Sequence, residues 1–325
     1  MNYDYVIFSP YFGKLPNYFN LWANSCSYNK KIKFIVFTDD KSYMNFNIPN
    51  NVFIEFISFK DFKKKINSKF DFEISLESPY KLCDFKPIYG YVFPEYIKKC
   101  KFWGYCDMDI IFGDICKFLP ENIFSFDKIS FLGHFCLYRN NRKINEMFMN
   151  SPKGTLNYVD ILSNKQHFGF DEIGKYGINN IFKLNNLKVY NYEINVADIN
   201  CRKKRMNVIE YNDGQFINHK ENVVFNYNCG KLLAYFNINS EINIKEYAYI
   251  HLQKRKMVNL AKNLDKFTIT YDSFINYIDI DKENYSSLIS KQTDFDFTWL
   301  KFKKKAIKNR LKRYCTIQKI LRKKG

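Results

Sequence analysis

Short apolar runs rich in β-branched and aromatic residues alternate with helical patterns through the first half of the chain, and this alternation limits the fold most strongly. Residues 4–10, 31–40 and 52–59 predict buried strands, and residues 102–113 predict a fourth strand that runs into acidic residues. A helix is expected from Pro16, because apolar residues recur there at helical spacing. This alternation is typical of βαβ units, so we expect an α/β fold with a mixed, mostly parallel sheet flanked by helices.

The second half of the chain has a more antiparallel pattern. Residues 223–236 predict a hairpin that turns at Asn228-Cys229-Gly230, and residues 246–252 predict a further strand. Residues 266–300 are expected to be helical. The resulting division is a catalytic domain at 1–265, a helical extension at 266–300 and a basic tail at 301–325.

Charge is concentrated at the end of the chain. The 325 residues carry a formal net charge of +18, but residues 301–325 hold 12 Lys/Arg and no acidic residue, which leaves +6 for the first 300. The basicity therefore belongs to the tail, and we expect no nucleic-acid partner for the main body. With 46% hydrophobic residues the chain can bury a full core, which excludes a wholly disordered protein.

Apolar residues interrupt the cations of this tail at roughly helical spacing, which predicts a basic amphipathic helix. Such a helix suits the anionic inner leaflet of the cytoplasmic membrane. An RNA-binding tail and a solvated terminus are the alternatives. The apolar residues are Trp299, Leu300, Phe302, Ile307, Leu311, Tyr314, Ile317, Ile320 and Leu321.

The first residues of the chain bear on its location, and the cysteines bear on disulfide and zinc chemistry. The opening MNYDYVIFSPYF lacks the basic region and cleavage site of a secretory signal, so we expect a cytoplasmic protein, peripheral on the inner face of the membrane. The nine cysteines contain no C-x-x-C pair, which argues against both a disulfide framework and a zinc ribbon.

A D-x-D motif is the sharpest chemical feature. Asp107 and Asp109 directly follow an apolar strand, and Asp114 comes soon after them. Two carboxylates at the end of a strand can both reach a hard divalent cation, and ligands bind at this edge of open α/β sheets. We expect Asp107 and Asp109 to hold a hard divalent cation, which neutralises the diphosphate of a nucleotide; a solvated acidic loop is the alternative.

His251 is the best candidate for a third metal ligand. It ends an apolar strand, and Lys254, Arg255 and Lys256 follow within five residues. An imidazole and several cations therefore occur together, and a site that binds both a metal and a diphosphate needs both. Lys254 is the cation we assign to the diphosphate. A surface histidine beside a solvated basic turn is the competing interpretation.

Other polar residues stand where a nucleotide sugar would lie. Ser9 and Tyr11 follow the first strand, and Thr38 and Asp39 follow the second. These positions suit contacts with the base and ribose of a donor, although the same residue types form ordinary turns.

Two further segments carry candidates for donor and acceptor contacts. Asp84 and Lys86 lie among aromatic residues and could reach a donor sugar or phosphate; a surface ion pair of Asp84 with Lys81 is the alternative. Asp171 and Glu172 follow a Gly-containing loop. Either is a candidate general base on the acceptor side, opposite the metal, if the reaction inverts the anomeric centre.

Several segments together resemble a family of bacterial polysaccharide glycosyltransferases found with capsule and O-antigen genes. The resemblance covers residues 4–260, in the family's order. The segments are SPYFGKLPNYFNLW, FIVFTDD, PYKLCDFKPIYGYVF, FWGYCDMDIIFGDI, GHFCLYRNN, FDE and HLQKRKM.

This resemblance implies a GT-A fold, a nucleotide-diphosphate sugar donor, a Mn²⁺ or Mg²⁺ ion and a polysaccharide or lipid-linked saccharide acceptor. It implies that Asp107 and Asp109 bind metal and donor, with His251 as third ligand and Asp84 and Lys86 as donor contacts. A nucleic-acid-processing protein with an acidic metal site and a basic arm is the main alternative. A scaffold in a polysaccharide assembly complex is a remoter one.

Overall fold

The computed structural model describes residues 3–200, 205–212, 215–253, 255–290, 292 and 297–322. The strands among them are β1 (Tyr5–Phe8), β2 (Ile32–Thr38), β3 (Val52–Phe56), β4 (Phe102–Cys106), β5 (Ile110–Phe112), β6 (Lys128–Ile129), β7 (Phe135–Arg139), β8 (Val189–Tyr190), β9 (Val196–Ile199), β10 (Val208–Asn212), β11 (Gln215–Asn218), β12 (Val223–Asn228), β13 (Lys231–Ile238), β14 (Glu241–Tyr247), β15 (Tyr249–His251), β16 (Val258–Asn259), β17 (Lys266–Ile269) and β18 (Ser273–Asn276).

Helices connect and cover these strands. The α-helices are α1 (Phe19–Ser27), α2 (Phe59–Asn67), α3 (Tyr89–Val92), α4 (Pro94–Ile97), α5 (Arg142–Asn145), α6 (Tyr158–Leu162), α7 (Ile178–Leu184), α8 (Lys282–Ile289) and α9 (Phe297–Arg322), and 3-10 helices lie at Lys41–Asn45, Pro79–Ile88, Cys116–Phe118, Ile123–Ser125, Met147–Met149 and Glu193–Asn195. Among the described residues, no helix is both long and apolar enough to cross a membrane.

A seven-stranded mixed sheet forms the first half, which confirms the α/β class. Its order is β3-β2-β1-β4-β7-β6-β8. The first four strands are parallel, and β7 runs antiparallel to β4. Because parallel strands end at the same edge, the chain leaves β1, β2 and β4 on one side of the molecule, where Ser9, Asp39 and Asp107 follow.

The D-x-D motif lies at the junction of two sheets. We expected one strand over 102–113, but the structure divides it into β4 and β5, and β5 pairs with β15 in a five-stranded sheet of order β11-β10-β9-β15-β5. The Asp107 N–H donates to the His134 carbonyl in the first sheet, whereas the Asp109 carbonyl accepts from Leu252 in the second. The two carboxylates therefore occupy the point where the backbone changes sheets.

The third sheet has six strands, in the order β14-β13-β12-β17-β18-β16. The predicted hairpin is confirmed: β12 and β13 are antiparallel and joined by Cys229 and Gly230, both at positive φ (46° and 84°). The helix expected from residue 266 is wrong over β17 and β18. Phe267, Thr268 and Ile269 are all buried there, because β17 lies between β12 and β18 and pairs antiparallel with both.

Two apolar clusters cover opposite faces of the first sheet. The neighbouring residues Ile7 and Phe8 of β1 point to different clusters, as the strand period requires. We call the one containing Phe8 the Phe8 cluster. It includes Ile317 of α9, with Ile320 and Leu321 packed against it. The predicted tail helix is therefore present, and its C-terminal half docks on the main body.

Candidate functional site

Three sequence-predicted ligands converge at the junction of the sheets. Asp107 follows β4, Asp109 precedes β5, and His251 ends β15 opposite Ile110. One ligand atom from each lies within 4.8 Å of the others, and His251 Nε2 is 3.4 Å from Asp109 Oδ1. The convergence expected from the sequence is present, and the metal ion itself stays a prediction.

The donor set fits a divalent cation. Two carboxylates with one imidazole suit Mn²⁺ and related ions, and ligand atoms that share one ion at about 2.0–2.6 Å lie at most about 5 Å apart, as these atoms do. A second set, His134, Asp198 and His251, is equally compact. Its two imidazole rings are stacked, 4.0 Å apart and 23° from parallel. Because a ring nitrogen binds a metal in the plane of its ring, stacked rings are poorly placed to share one ion, and we assign the site to the first set.

Asp198 orients His251. The two residues are neighbours on the parallel strands β9 and β15, and His251 Nδ1 is 2.7 Å from Asp198 Oδ1. The Gln253 amide donates to both oxygens of Asp198, at 2.8 Å each. A proton held on Nδ1 leaves Nε2 as the atom directed to Asp109 and a metal. Sequence reasoning missed Asp198; its signal was a lone carboxylate within the apolar run Val-Ala-Asp-Ile.

The pKa values of His251 and His134 are shifted in opposite directions. Burial alone would lower the pKa of His251, but the charge of Asp109 and the bonds to Asp109 and Asp198 raise that pKa to about 10. Burial and the neighbouring His251 lower the pKa of His134 to about 3. His134 Nε2 has no hydrogen-bond partner among the described residues. Without a metal, His251 is thus the cation between two carboxylates and His134 is neutral.

Lys86 supplies a second cation to the site. Its Nζ lies 2.6 Å from Asp107 Oδ1 and 3.2 Å from Asp171 Oδ2, and donates to the Gly133 carbonyl at 2.7 Å. Burial opposes the charge, but Asp107 and Asp171 raise the pKa of Lys86 well above its usual value. A Cβ at Gly133 would stand 2.7 Å from Asp171 Oδ2, so a residue without a side chain allows this approach.

Asp171 and Glu172 occupy different environments. Asp171 is 1% exposed and contacts the same ammonium as Asp107, so it lies beside Asp107; the predicted position opposite the metal does not fit Asp171 and stays a prediction for Glu172. Burial raises the pKa of Asp171 well above its usual range, and the charge of Lys86 offsets this only in part. Glu172 is exposed and packs close to Gly133. Of the two, Glu172 is the one a dissolved acceptor can reach.

Asp84 is held by hydrogen bonds within the protein. It is fully buried, and its oxygens accept from Lys81 (2.7 Å) and from the backbone N–H groups of Phe168 (2.8 Å) and Phe170 (2.9 Å). The 3-10 helix Pro79–Ile88 puts Lys81 and Asp84 on one face, as their spacing suggested. The structure thus corresponds to the ion-pair alternative, in a buried form, and Asp84 positions the loop that leads to Asp171 rather than facing a donor.

The residues after β1 and β2 divide into two kinds. Ser9 and Thr38 are buried, and Thr38 Oγ1 accepts from the backbone N–H of Asp40 at 3.2 Å, so these two shape the turns. Tyr11 and Asp39 are less enclosed. Burial and the charge of Asp109 raise the pKa of Tyr11, and Asp39 is exposed and accepts from Gly13 N at 2.8 Å. Lys254 lies outside the described residues.

One family model covers most of the chain. The model described as a family of unknown function (DUF6625) matches residues 7–278. The chain belongs to this DUF6625 family. The match contains Asp107, Asp109, Asp198 and His251, while α9 lies beyond it. Comparison with curated proteins gives no match. The DUF6625 description carries no activity, so function has to be argued from the geometry of the site.

Proposed function

We propose that this protein is a metal-dependent glycosyltransferase with a GT-A-like catalytic domain, which uses a nucleotide-diphosphate sugar as donor. The observation that carries the proposal is the convergence of Asp107, Asp109 and His251 at the edge where the parallel strands end. Asp107, Asp109 and His251 would hold Mn²⁺ or Mg²⁺, and the ion, when bound, supplies Lewis-acid neutralisation of the departing diphosphate.

The remaining residues of this edge bind and orient the donor. Lys86 places a fixed positive charge beside Asp107, where a diphosphate develops charge as its bond to the anomeric carbon of the sugar breaks. Tyr11 and Asp39 follow neighbouring strands and are the candidates for contact with base and ribose. Asp171 holds Lys86 in place from its buried side. Lys254 stays a sequence-based candidate for the diphosphate.

The acceptor is proposed to be a growing or lipid-linked surface polysaccharide at the inner face of the cytoplasmic membrane. Glu172 is the carboxylate that would take the proton of the attacking hydroxyl if the reaction inverts the anomeric centre, because it is exposed where Asp171 is enclosed. The peripheral location rests on the cationic helix α9.

A panel of nucleotide sugars with Mn²⁺ tests the proposal. We expect release of a nucleoside diphosphate from one donor, lost on addition of EDTA and in Asp109→Asn. Asp114→Asn is the matched control, because Asp114 belongs to the same acidic run but is exposed and caps Lys117 N at 3.1 Å. No metal-dependent release from any donor, with a mixture of lipid-linked and soluble saccharide acceptors, would contradict the proposed function.

A further inference from the structure

The helix α9 has an inner face that is fastened to the main body. Arg313 Nη1 donates to the Phe168 carbonyl at 3.2 Å, and Thr316 Oγ1 donates to Gln166 Oε1 at 2.9 Å. Ile317 is 9% exposed within the Phe8 cluster. The inner face therefore contacts residues 166–168, at the beginning of the loop that leads to Asp171.

The outer face of α9 carries an apolar stripe that the described residues leave exposed. Ile307, Leu311 and Tyr314 are 52%, 61% and 60% exposed, and their i, i+4, i+7 spacing puts them on one side of the helix. At about 100° per residue, Lys304 and Arg310 lie roughly 60° to either side of this stripe. All of these cations stand in a segment, 301–325, that contains no acidic residue.

An open groove of about 660 Å³ runs along this helix. Lys304, Lys308 and Lys312 line it together with Ile307 and Leu311, and it extends to Cys315, Thr316 and Gln166, where the helix meets the main body. Ammonium groups beside apolar side chains match the two parts of an anionic lipid, because the headgroup can meet the cations while the acyl region covers the apolar residues. A nucleic-acid backbone would satisfy the cations but leave the apolar stripe in water.

We propose that the outer face of α9, meaning Ile307, Leu311 and Tyr314 with their flanking cations, is a binding surface for an anionic lipid bilayer. Binding would combine burial of the stripe with attraction of the cations to anionic headgroups. Because the inner face of α9 contacts Gln166 and Phe168, at the start of the loop that leads to Asp171 and Glu172, a bilayer on the outer face would hold this loop near the membrane. This inference deepens the proposed function by bringing the site to a lipid-linked acceptor.

Co-sedimentation with vesicles tests the surface in the full-length protein. We expect binding to phosphatidylcholine vesicles that contain phosphatidylglycerol, weaker binding at high salt, and little binding to phosphatidylcholine alone. The triple variant Ile307→Ser/Leu311→Ser/Tyr314→Ser should bind at least about tenfold more weakly. The control Phe216→Ser/Ile217→Ser/Ile244→Ser removes equally exposed apolar residues from β11 and β14 and should bind as the parent does.

A second set of variants guards against unfolding of the first. Lys304→Gln/Lys308→Gln/Lys312→Gln keeps good helix formers and should lose the salt-sensitive part of binding. Equal sedimentation of parent and both triple variants, equal binding to neutral vesicles, or tighter binding to RNA than to vesicles would each overturn the inference. Nucleoside diphosphate release to a soluble acceptor, measured on the same proteins, reports on the proposed function separately.

Discussion

His251 and Asp198 lie side by side on the parallel strands β15 and β9, with the imidazole Nδ1 2.7 Å from a carboxylate oxygen. On its other side, the same imidazole turns Nε2 toward Asp109. Asp198 thus fixes the His251 ring through Nδ1, and Nε2 points toward the D-x-D motif. This arrangement would orient His251 as a ligand of the proposed metal before the ion binds.

Asp109→Asn should lower metal-dependent transfer by about 100- to 1,000-fold, because it removes a charge from the diphosphate site without touching the apolar core. Because Asp109 also pairs with the buried His251 imidazole, its variant should melt below the parent but stay folded at the assay temperature. The control Asp114→Asn should keep both its activity and the parent's midpoint. The measurement is nucleoside diphosphate release together with a melting curve. Activity of the parent that survives EDTA would contradict the role of Asp109.

Asp198→Asn should weaken Mn²⁺ binding by about 10- to 100-fold, because His251 loses the carboxylate that fixes its ring. Gln253→Ala should act in the same direction but less strongly, since it removes only the amide that holds Asp198. Isothermal titration of both variants, with melting curves to confirm folding, checks this. An unchanged affinity in folded Asp198→Asn would show that this carboxylate does not support the ligand.

Lys81→Met should destabilise the protein by roughly 3 kcal/mol, because Asp84 would keep its charge in the interior without its cation. The matched control is Lys64→Met, which breaks the exposed pair Asp61–Lys64 at the same i, i+3 spacing. That pair is solvated, so little change is expected. Urea unfolding of the two variants measures the difference. Equal midpoints would mean that the buried pair contributes nothing to the loop beyond it.

Asp171→Asn should become more stable relative to the parent as pH rises in metal-free buffer. Burial raises the folded-state pKa of Asp171 above its unfolded value. A carboxyl with a raised pKa contributes stability that is present below the unfolded pKa and is lost as pH rises through the folded one. The free energies of unfolding of both proteins, measured from pH 4 to 8, test this. The difference between them should change by the amount that one titrating group contributes. Parallel curves would contradict the shift.

Glu172→Gln should lower kcat for transfer and leave donor-dependent metal binding unchanged, because Glu172 is exposed and is the proposed base rather than one of the proposed metal ligands. Asp171→Asn is the comparison, since it should alter donor KM through Lys86. Steady-state kinetics with each substrate varied separate the two effects. Unchanged kcat and acceptor KM in Glu172→Gln would remove that residue from the reaction.

Local patterns in the sequence were sufficient for the parts of this protein that depend on neighbouring residues. The four parallel strands, the turn at Cys229 and Gly230, the helix at the C-terminus and the position of the D-x-D motif at a strand end all follow from side-chain period and turn chemistry. The same reasoning failed at β17 and β18, where four-residue strands are too short for the pattern to exclude a helix.

Only the tertiary structure decided which polar residues meet. Asp198 lies 53 residues from His251, and Asp84 lies 84 and 86 residues from the two N–H groups that it binds, so no local pattern pairs them. Packing also divided the roles of Asp171 and Glu172, which are adjacent in sequence, by enclosing the first against Lys86 and leaving the second exposed. The sequence by itself determined which groups reach the edge of the sheet. The burial and the long-range contacts that assign each group its charge and partner exist only once the strands have been packed together.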